Sequence, residues 1–499
     1  MASGTFYAEF VQSLRVASVL LVALTLAAAA IGCGGDERSV APAPLVATIV
    51  QDDAELLHRA PQRTAATMDD LRDLGVNWVR VTAGWSVIAP APAAAQRPDF
   101  DARDPAAYPA GAWSKLDRVV ALARERGLRV AIDIAFWAPR WAVERPGERP
   151  GRERDSIAVA AFADFAEAVA RRYPQAVAFT IWNEPNHPSF FQPQWELSGG
   201  AWRPASPHRY RAMVQASVPR IKAAAPDALV LIGATSSVGE EHPDNAADGM
   251  APLTFLREMA CVDERLQPLR RPECRSFQPL PGDGWSHHPY SRDKPPWVPD
   301  PQATNARMGD LPRLTALLSR LHKAGRTRDA LELYLTEWGY QTNPPDPTWQ
   351  VSLADQARWL PEGERIARAQ PSVRGVSQFL VRDLPQRPGA NARTRWGDYQ
   401  SGLRFVDGSP KPAHRSFALA LVARRAGAHT VAFWGLVRRG NGRRDARVSV
   451  RARDGSWRTL LRRRTGEDGT FEATVAVDPS RSFRLESGGR AGPPLAGAR

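Results

Sequence analysis

Two textures alternate along the first four-fifths of the chain. Short runs that are nearly continuous in apolar residues recur at 45–50, 77–82, 128–134, 177–182, 228–232, 284–287, 332–336 and 374–380. A strand covered on both faces has no polar side to show, so this pattern predicts a buried parallel sheet. Between the runs lie segments with one apolar face at helical spacing. After Trp113, for example, Leu116, Val119, Val120 and Ala123 fall on one face and Gly127 marks the stop. Segments 160–173, 210–225, 311–324 and 356–369 read the same way. Eight strands in alternation with helices favour a closed (β/α)8 TIM barrel over an open doubly wound sheet. The barrel is expected over residues 45–426. Its excess length falls after the strands, at 85–112, 186–206, 291–307 and 341–352, where barrel enzymes build their clefts.

From residue 427 the period changes. Alternating stretches such as HTVAFWGLV, DARVSVRAR and TFEATVAV are separated by turn signals, among them Asp454-Gly455 and Asp468-Gly469. This predicts a small all-β sandwich over 427–486, and the Gly/Pro-rich residues 487–499 read as a disordered tail. Trp434 and Trp457 read as packing residues, with sugar stacking as the alternative.

The N-terminus carries an export signature. Arg15 precedes an uncharged run at 16–31, followed by Gly32, Cys33, Gly34 and Gly35. Ala30-Ile31-Gly32-Cys33 resembles a bacterial lipobox, whose cysteine is lipidated. The reading is a signal peptide over 1–33 with Cys33 as the lipid site and a linker over 34–44. A plain signal peptide or an uncleaved anchor is the alternative. Each of these takes the protein out of the cytosol, to the cell surface or beyond, with a lipid or an anchor as its membrane contact. Cys261 and Cys274 are then left either to bridge in an oxidising compartment or to remain free thiols.

Composition narrows the partners. The formal charge of +13 in 499 residues raises nucleic acid as a ligand. The basic residues are mostly arginines spread along the whole chain, with clusters at Arg438, Arg439, Arg443, Arg444 and at Arg462, Arg463, Arg464. They read as solvated faces and not as a nucleic-acid footprint; a patch for an acidic polymer or an anionic lipid surface is the alternative. The histidines show no metal-ligand spacing, and no metal or cofactor is expected.

Two carboxylates stand apart. The fourth strand, VAFTIW, runs into Asn183-Glu184-Pro185-Asn186, and the seventh runs through LYLT into Glu337-Trp338-Gly339-Tyr340. Side chains at the C-terminal strand ends face the mouth of a barrel. Hydrolysis of a glycosidic bond needs a protonated carboxyl for the leaving oxygen and an ionised one for the anomeric carbon. For either glutamate alone, a rim ion pair is an equal reading; the two together point to catalysis.

The IWNEPN and LTEWGY segments resemble those of clan A glycoside hydrolases, families 39 and 5 in particular. The resemblance covers most of residues 45–412. It implies that Glu184 is the acid/base, that Glu337 is the nucleophile, and that anomeric configuration is retained on a β-linked glycan. By the same resemblance Arg80 hydrogen-bonds the nucleophile, Asn183 binds the sugar 2-hydroxyl, and His288 and Tyr290 form the pair after the sixth strand, with Tyr290 touching the nucleophile. Trp85, Trp137, Trp141, Trp182 and Trp338 crowd the same rim, and Trp137 and Trp338 are expected to stack on sugar. The eighth strand departs from the clan by ending in Ser377-Gln378-Phe379 without its usual tryptophan, a place open to Phe379 or Trp396. A silent glycan-binding barrel and an envelope transglycosylase are the rival functions. Oligomeric state is not legible.

Overall fold

The computed structural model describes residues 45–347, 350–389, 391, 394–396, 399–440 and 442–499. The apolar run at 16–31, Cys33 and the linker 34–44 lie outside the described residues. No described helix is long and apolar enough to cross a membrane.

Eight parallel strands close into a barrel: β1 (Ala47–Gln51), β2 (Trp78–Gly84), β3 (Arg129–Ala135), β4 (Ala178–Ile181), β5 (Leu229–Ser236), β6 (Gly284–His288), β7 (Glu332–Leu335) and β8 (Val373–Phe379). Each pairs with the next, and β8 returns to β1. One labelled helix follows each strand in turn: α1 (Pro61–Leu74), α2 (Ser114–Glu125), α3 (Val159–Arg172), α4 (Ser206–Ala224), α5 (Pro252–Met259), α6 (Leu311–Lys323), α7 (Leu353–Arg368) and α8 (Pro412–Ala418). The apolar runs of the sequence thus become the eight strands. Three helices, α1, α5 and α8, fall outside the helical segments that the sequence pattern predicted. Each begins with Pro, a residue preorganised for the first turn of a helix.

The pleat sorts each strand's side chains into two environments. One set, including Val50, Val79, Val81, Ile132, Phe179, Val230 and Leu333, packs outward under the helices. The other set points into the barrel, where Ile49, Trp78, Ala131, Ala178, Leu231 and Tyr334 form an apolar floor. Trp78 and Tyr334 stack across it with centroids 5.9 Å apart. Gly375 makes room for this floor, since a Cβ there would come within 2.8 Å of Ile49 Cδ1. Side chains on a strand repeat every second residue, so the layer above the floor holds Gln51, Arg80, Asp133, Thr180 and Thr336. All five are polar and buried. A polar layer over an apolar plug is the platform on which the site is built.

The C-terminal region is two antiparallel sheets. Strands β9 (Leu419–Gly427), β10 (Thr430–Val437) and β13 (Thr470–Ala476) form one, in the order β9-β10-β13. Strands β11 (Asp445–Arg451), β12 (Trp457–Arg464) and β14 (Ser482–Ser487) form the other, in the order β12-β11-β14. Leu421, Phe433, Val448, Phe471, Phe483 and Leu485 fill the space between them. Trp434 is buried in a small cluster with Val422 and Leu436, and Trp457 lies under the Arg484 guanidinium at 4.4 Å.

Two expectations are corrected here. The boundary expected between residues 426 and 427 falls at the end of β9, because the apolar run from Leu419 pairs with β10 instead of continuing the barrel. The tail 487–499 is not disordered: Arg490–Ala491 and Leu495–Ala496 both pair with β14. Leu495 packs against the sandwich core, and the Arg499 guanidinium sits 3.4 Å over the Trp297 ring. These contacts outweigh the disorder its Gly/Pro content suggested.

A buried arginine ties the two parts together. Arg438, at the end of β10, pairs with Glu364 of α7 at 2.7 Å and lies 4.1 Å over the Phe417 ring. Cys261 and Cys274 are joined by a disulfide just beyond α5.

Candidate active site

The site occupies the C-terminal mouth of the barrel, above the polar layer. At the end of β7, Glu337 is fixed through both carboxylate oxygens. Arg80 Nη1 donates to Oε1 at 2.9 Å and the Tyr290 hydroxyl donates to Oε2 at 3.2 Å. Arg80 has no solvent exposure. Its Nη2 lies 2.9 Å from Asp133 Oδ1, and Nη1 also donates to Gln51. Burial pushes Asp133 up to about 7 against the pull of Arg80. The guanidinium is therefore held rigidly between two acids, with one face committed to Glu337.

Glu184 stands opposite, just past β4. The strand breaks sharply here: Trp182 and Glu184 both adopt positive φ, 60° and 39°. Non-glycine residues pay for that conformation, and they cluster at functional sites. The Glu184 amide donates to the Ala234 carbonyl at 2.9 Å, which fixes the turn against β5. Burial raises the Glu184 carboxyl above its ordinary range.

His288 links the two acids. Its Nδ1 lies 2.9 Å from Glu184 Oε1 and 3.7 Å from Glu337 Oε2. Its Nε2 lies 3.1 Å from Thr336 Oγ1, which in turn meets Ser286 Oγ at 2.5 Å. Burial pushes the imidazole down to about 4, so it is neutral at pH 7. The hydrogen-bond set then assigns the proton to Nδ1, donating to Glu184, with Nε2 accepting from Thr336. One oxygen from each glutamate and one His288 nitrogen all fall within 4.8 Å of one another. The same three donors are those a divalent cation would take, in competition with the hydrogen bonds of His288.

The remaining residues divide. Asn183 is buried beside Glu184 with its Oδ1 lacking any protein partner. Trp137 is half-buried and stacks on Phe190 at 5.8 Å, an aromatic wall at the end of β3. Trp338 is corrected: it is 2 % exposed and its ring abuts Gly363 of α7, so it faces the helix layer and not a sugar. The chain turns Glu337 inward, and its neighbour takes the opposite side. Trp85 and Trp182 are likewise core residues, packed on Phe165 and Phe162.

Sequence reasoning missed Tyr399. It lies in the loop between β8 and α8, stacks with Tyr290 at 6.2 Å and meets Phe379 edge-on at 5.0 Å. Tyr399 and Phe379 supply the aromatic surface at the eighth strand. That loop is pinned by a buried ion pair, Lys411 Nζ to Asp383 Oδ1 at 2.7 Å, and the same ammonium donates to Thr342 and to the Gln400 carbonyl.

A closed eight-stranded barrel with two carboxylates facing across its C-terminal mouth defines a glycoside hydrolase. The model of the family described as Cellulase (glycosyl hydrolase family 5) matches residues 51–312, more than half of the chain. The chain belongs to glycosyl hydrolase family 5. The match includes Glu184 and ends before Glu337.

Among solved structures, it is similar to a family 39 glycoside hydrolase from Bacteroides cellulosilyticus WH2, at 14% identity and a TM-score of 0.52 over 89% of this chain and 81% of that one. It also matches a glucosidase from Croceicoccus marinus, at 15% identity and a TM-score of 0.48 over 89% and 95% of the two chains. A GH5_18 protein from Streptomyces cattleya, in complex with GlcNAc, matches at 17% identity and a TM-score of 0.46 over 75% and 79%. No curated protein matches the chain.

Proposed function

We propose that the protein hydrolyses a β-linked glycan with retention of configuration, by double displacement. The observation that carries this reading is the spacing of the two acids, whose nearest oxygens fall within 4.8 Å. Retaining enzymes hold their carboxyls about 5–5.5 Å apart, whereas inverting enzymes need about 6.5–9.5 Å to admit a water. Glu337, oriented by Arg80 and Tyr290, attacks the anomeric carbon. The C–O bond to the aglycone breaks as Glu184 passes its proton to the departing oxygen. Water, deprotonated by Glu184, then displaces Glu337 and releases the sugar. Asn183 offers its unpartnered amide to the 2-hydroxyl, and Trp137, Tyr399 and Phe379 provide stacking walls. The β configuration rests on the resemblance of the IWNEPN and LTEWGY segments.

The test is the anomer released first from an aryl β-glycoside, followed by NMR before mutarotation. A β product supports the reading and an α product overturns it. Labelling of Glu337 by a 2-fluoro glycoside separates an enzyme from a silent binding barrel.

We also propose that the chain works outside the cytosol as a lipoprotein or secreted protein. The Arg15 and 16–31 pattern ahead of Cys33 supports this, as does the Cys261–Cys274 disulfide, since such bonds persist in oxidising compartments. Metabolic labelling with a fatty acid tests it: a label lost in Cys33→Ser supports lipidation, and an unlabelled chain in the cytosolic fraction overturns both forms.

A further inference from the structure

The sheet β12-β11-β14 carries a groove of about 840 Å³ that the catalytic reading does not use. Arg447, Arg462, Arg463, Arg464, Arg484 and Arg490 line it, against only Asp445 and Glu486. The pairing register sharpens the imbalance. Arg447 stands directly across from Arg462 on one side and from Glu486 on the other. Like charges directly opposite on a sheet are destabilising. Glu486 does not relieve Arg462, because it is already shared by Arg447 and Arg484. Arg464 lies opposite Asp445 in register, yet no ion pair joins them. Among the described residues, Arg462, Arg464 and Arg490 have no carboxylate partner. At one end the hairpin turns through Gly488 and Gly489, where a Cβ would meet nothing within 4 Å, so the mouth is open.

We propose that this groove binds an acidic polysaccharide through its carboxylates, holding the polymer on the sandwich while the barrel cuts. Guanidinium forks match carboxylates in a two-bond geometry that a lysine patch does not offer. A sheet face with several uncompensated arginines gains by taking up anions. The choice of a uronate-bearing glycan over another polyanion rests on the glycosidase nature of the barrel; the binding itself does not.

The experiment uses the full chain and polygalacturonate, an α-linked polymer that presents the carboxylates without being a substrate of the barrel, in affinity electrophoresis and titration calorimetry, with neutral xylan and phosphatidylglycerol vesicles in parallel. Polygalacturonate should bind at about 50 mM salt and lose at least tenfold in affinity by about 200 mM, as multi-site charge neutralisation requires. The exposed-site variant Arg462→Ser/Arg464→Ser/Arg490→Ser should lose at least tenfold at low salt, with turnover of a small aryl β-glycoside unchanged. Absence of polygalacturonate binding, equal binding of xylan, or a variant that binds as the parent does would overturn the proposal. Binding of vesicles without polygalacturonate would overturn it in favour of a membrane surface. A catalytically dead chain that still binds would leave this inference standing while the retaining mechanism falls.

Discussion

His288 Nδ1 lies 2.9 Å from Glu184 and 3.7 Å from Glu337, so a single neutral imidazole sits between the two acids. Its one N–H goes to the nearer acid, Glu184, while Glu337 takes its bonds from Arg80 and Tyr290. The two carboxyls therefore meet different electrostatics within one small space: Glu337 is hydrogen-bonded to a fixed cation, whereas at Glu184 burial outweighs the more distant pull of His187 and Arg80. Different environments for paired acids are what set them to different tasks.

The chemistry of each acid should separate in kinetics. Glu337→Gln is expected to lower kcat by about four orders of magnitude or more, about 5–6 kcal/mol of barrier, on every substrate. Glu184→Gln should fall as far on alkyl glycosides but much less in the first step on activated aryl glycosides, whose leaving group needs no proton. Azide should restore turnover in the Glu184 variant by replacing the activated water. Equal losses on both substrate types would show that Glu184 is not the acid.

Acid function also fixes a pH limb. Glu184 must keep its proton, and burial raises it, so kcat/KM should fall on the alkaline side at a pH above the ordinary glutamate value of about 4.3. His288 donates to the ionised form most strongly and so holds that value down. His288→Phe removes that hydrogen bond and should move the limb upward while lowering kcat. A downward move would refute the assigned proton position.

His287 gives a stability test that is independent of activity. It is buried between Thr235 and the Ala306 carbonyl, and burial pushes it down to about 3. A histidine that stays neutral in the fold but charges when unfolded contributes fully above about 6.5, and the contribution is lost as pH falls from there toward the folded value. Asp52 and Asp133, both pushed up to about 7, act in the opposite sense. The informative quantity is therefore the Tm difference between the parent and His287→Asn, which should shrink from pH 7 to pH 5. A constant difference would contradict a neutral His287.

Tyr399 and its anchor can be told apart. Tyr399→Ala should raise KM about tenfold, a loss of about 1.4 kcal/mol, with little change in kcat. Lys411→Met leaves Asp383 as an unpaired buried charge and should cost about 3–5 kcal/mol of stability, with the same rise in KM. Adding Asp383→Leu should recover much of the stability. Recovery of stability without recovery of KM would show that the pair positions Tyr399; an unchanged KM in Tyr399→Ala would remove it from substrate contact.

Much of this was legible in the residues for a physical reason. Barrel strands are covered on both sides, so the runs around Val79, Ile132, Phe179 and Leu333 stand out as unbroken apolar stretches, and Glu184 and Glu337 stand out as acids at their ends. The interior polar layer was harder, because Gln51, Asp133 and Thr180 each interrupt an apolar run by a single residue; only Arg80 was read. Trp338 misled because sequence gives a position on the rim without a direction. Tyr399 left no signal, since nothing periodic marks a loop whose shape is set by one buried lysine from beyond it. The last residues deceived through composition: a few apolar anchors such as Leu495 outweigh many glycines.

The seam between barrel and sandwich reaches farther than its size suggests. Trp338, the residue after Glu337, shares a small cavity wall with Glu364, Phe417 and Arg438, the last of these from the sandwich. Clipping the chain after α8 would take Arg438 from Glu364, leaving it Arg368 alone, and would unroof the packing behind Glu337. The smaller part is thus a buttress for the chemistry, and swapping it for a foreign module should damage turnover even where the barrel still folds.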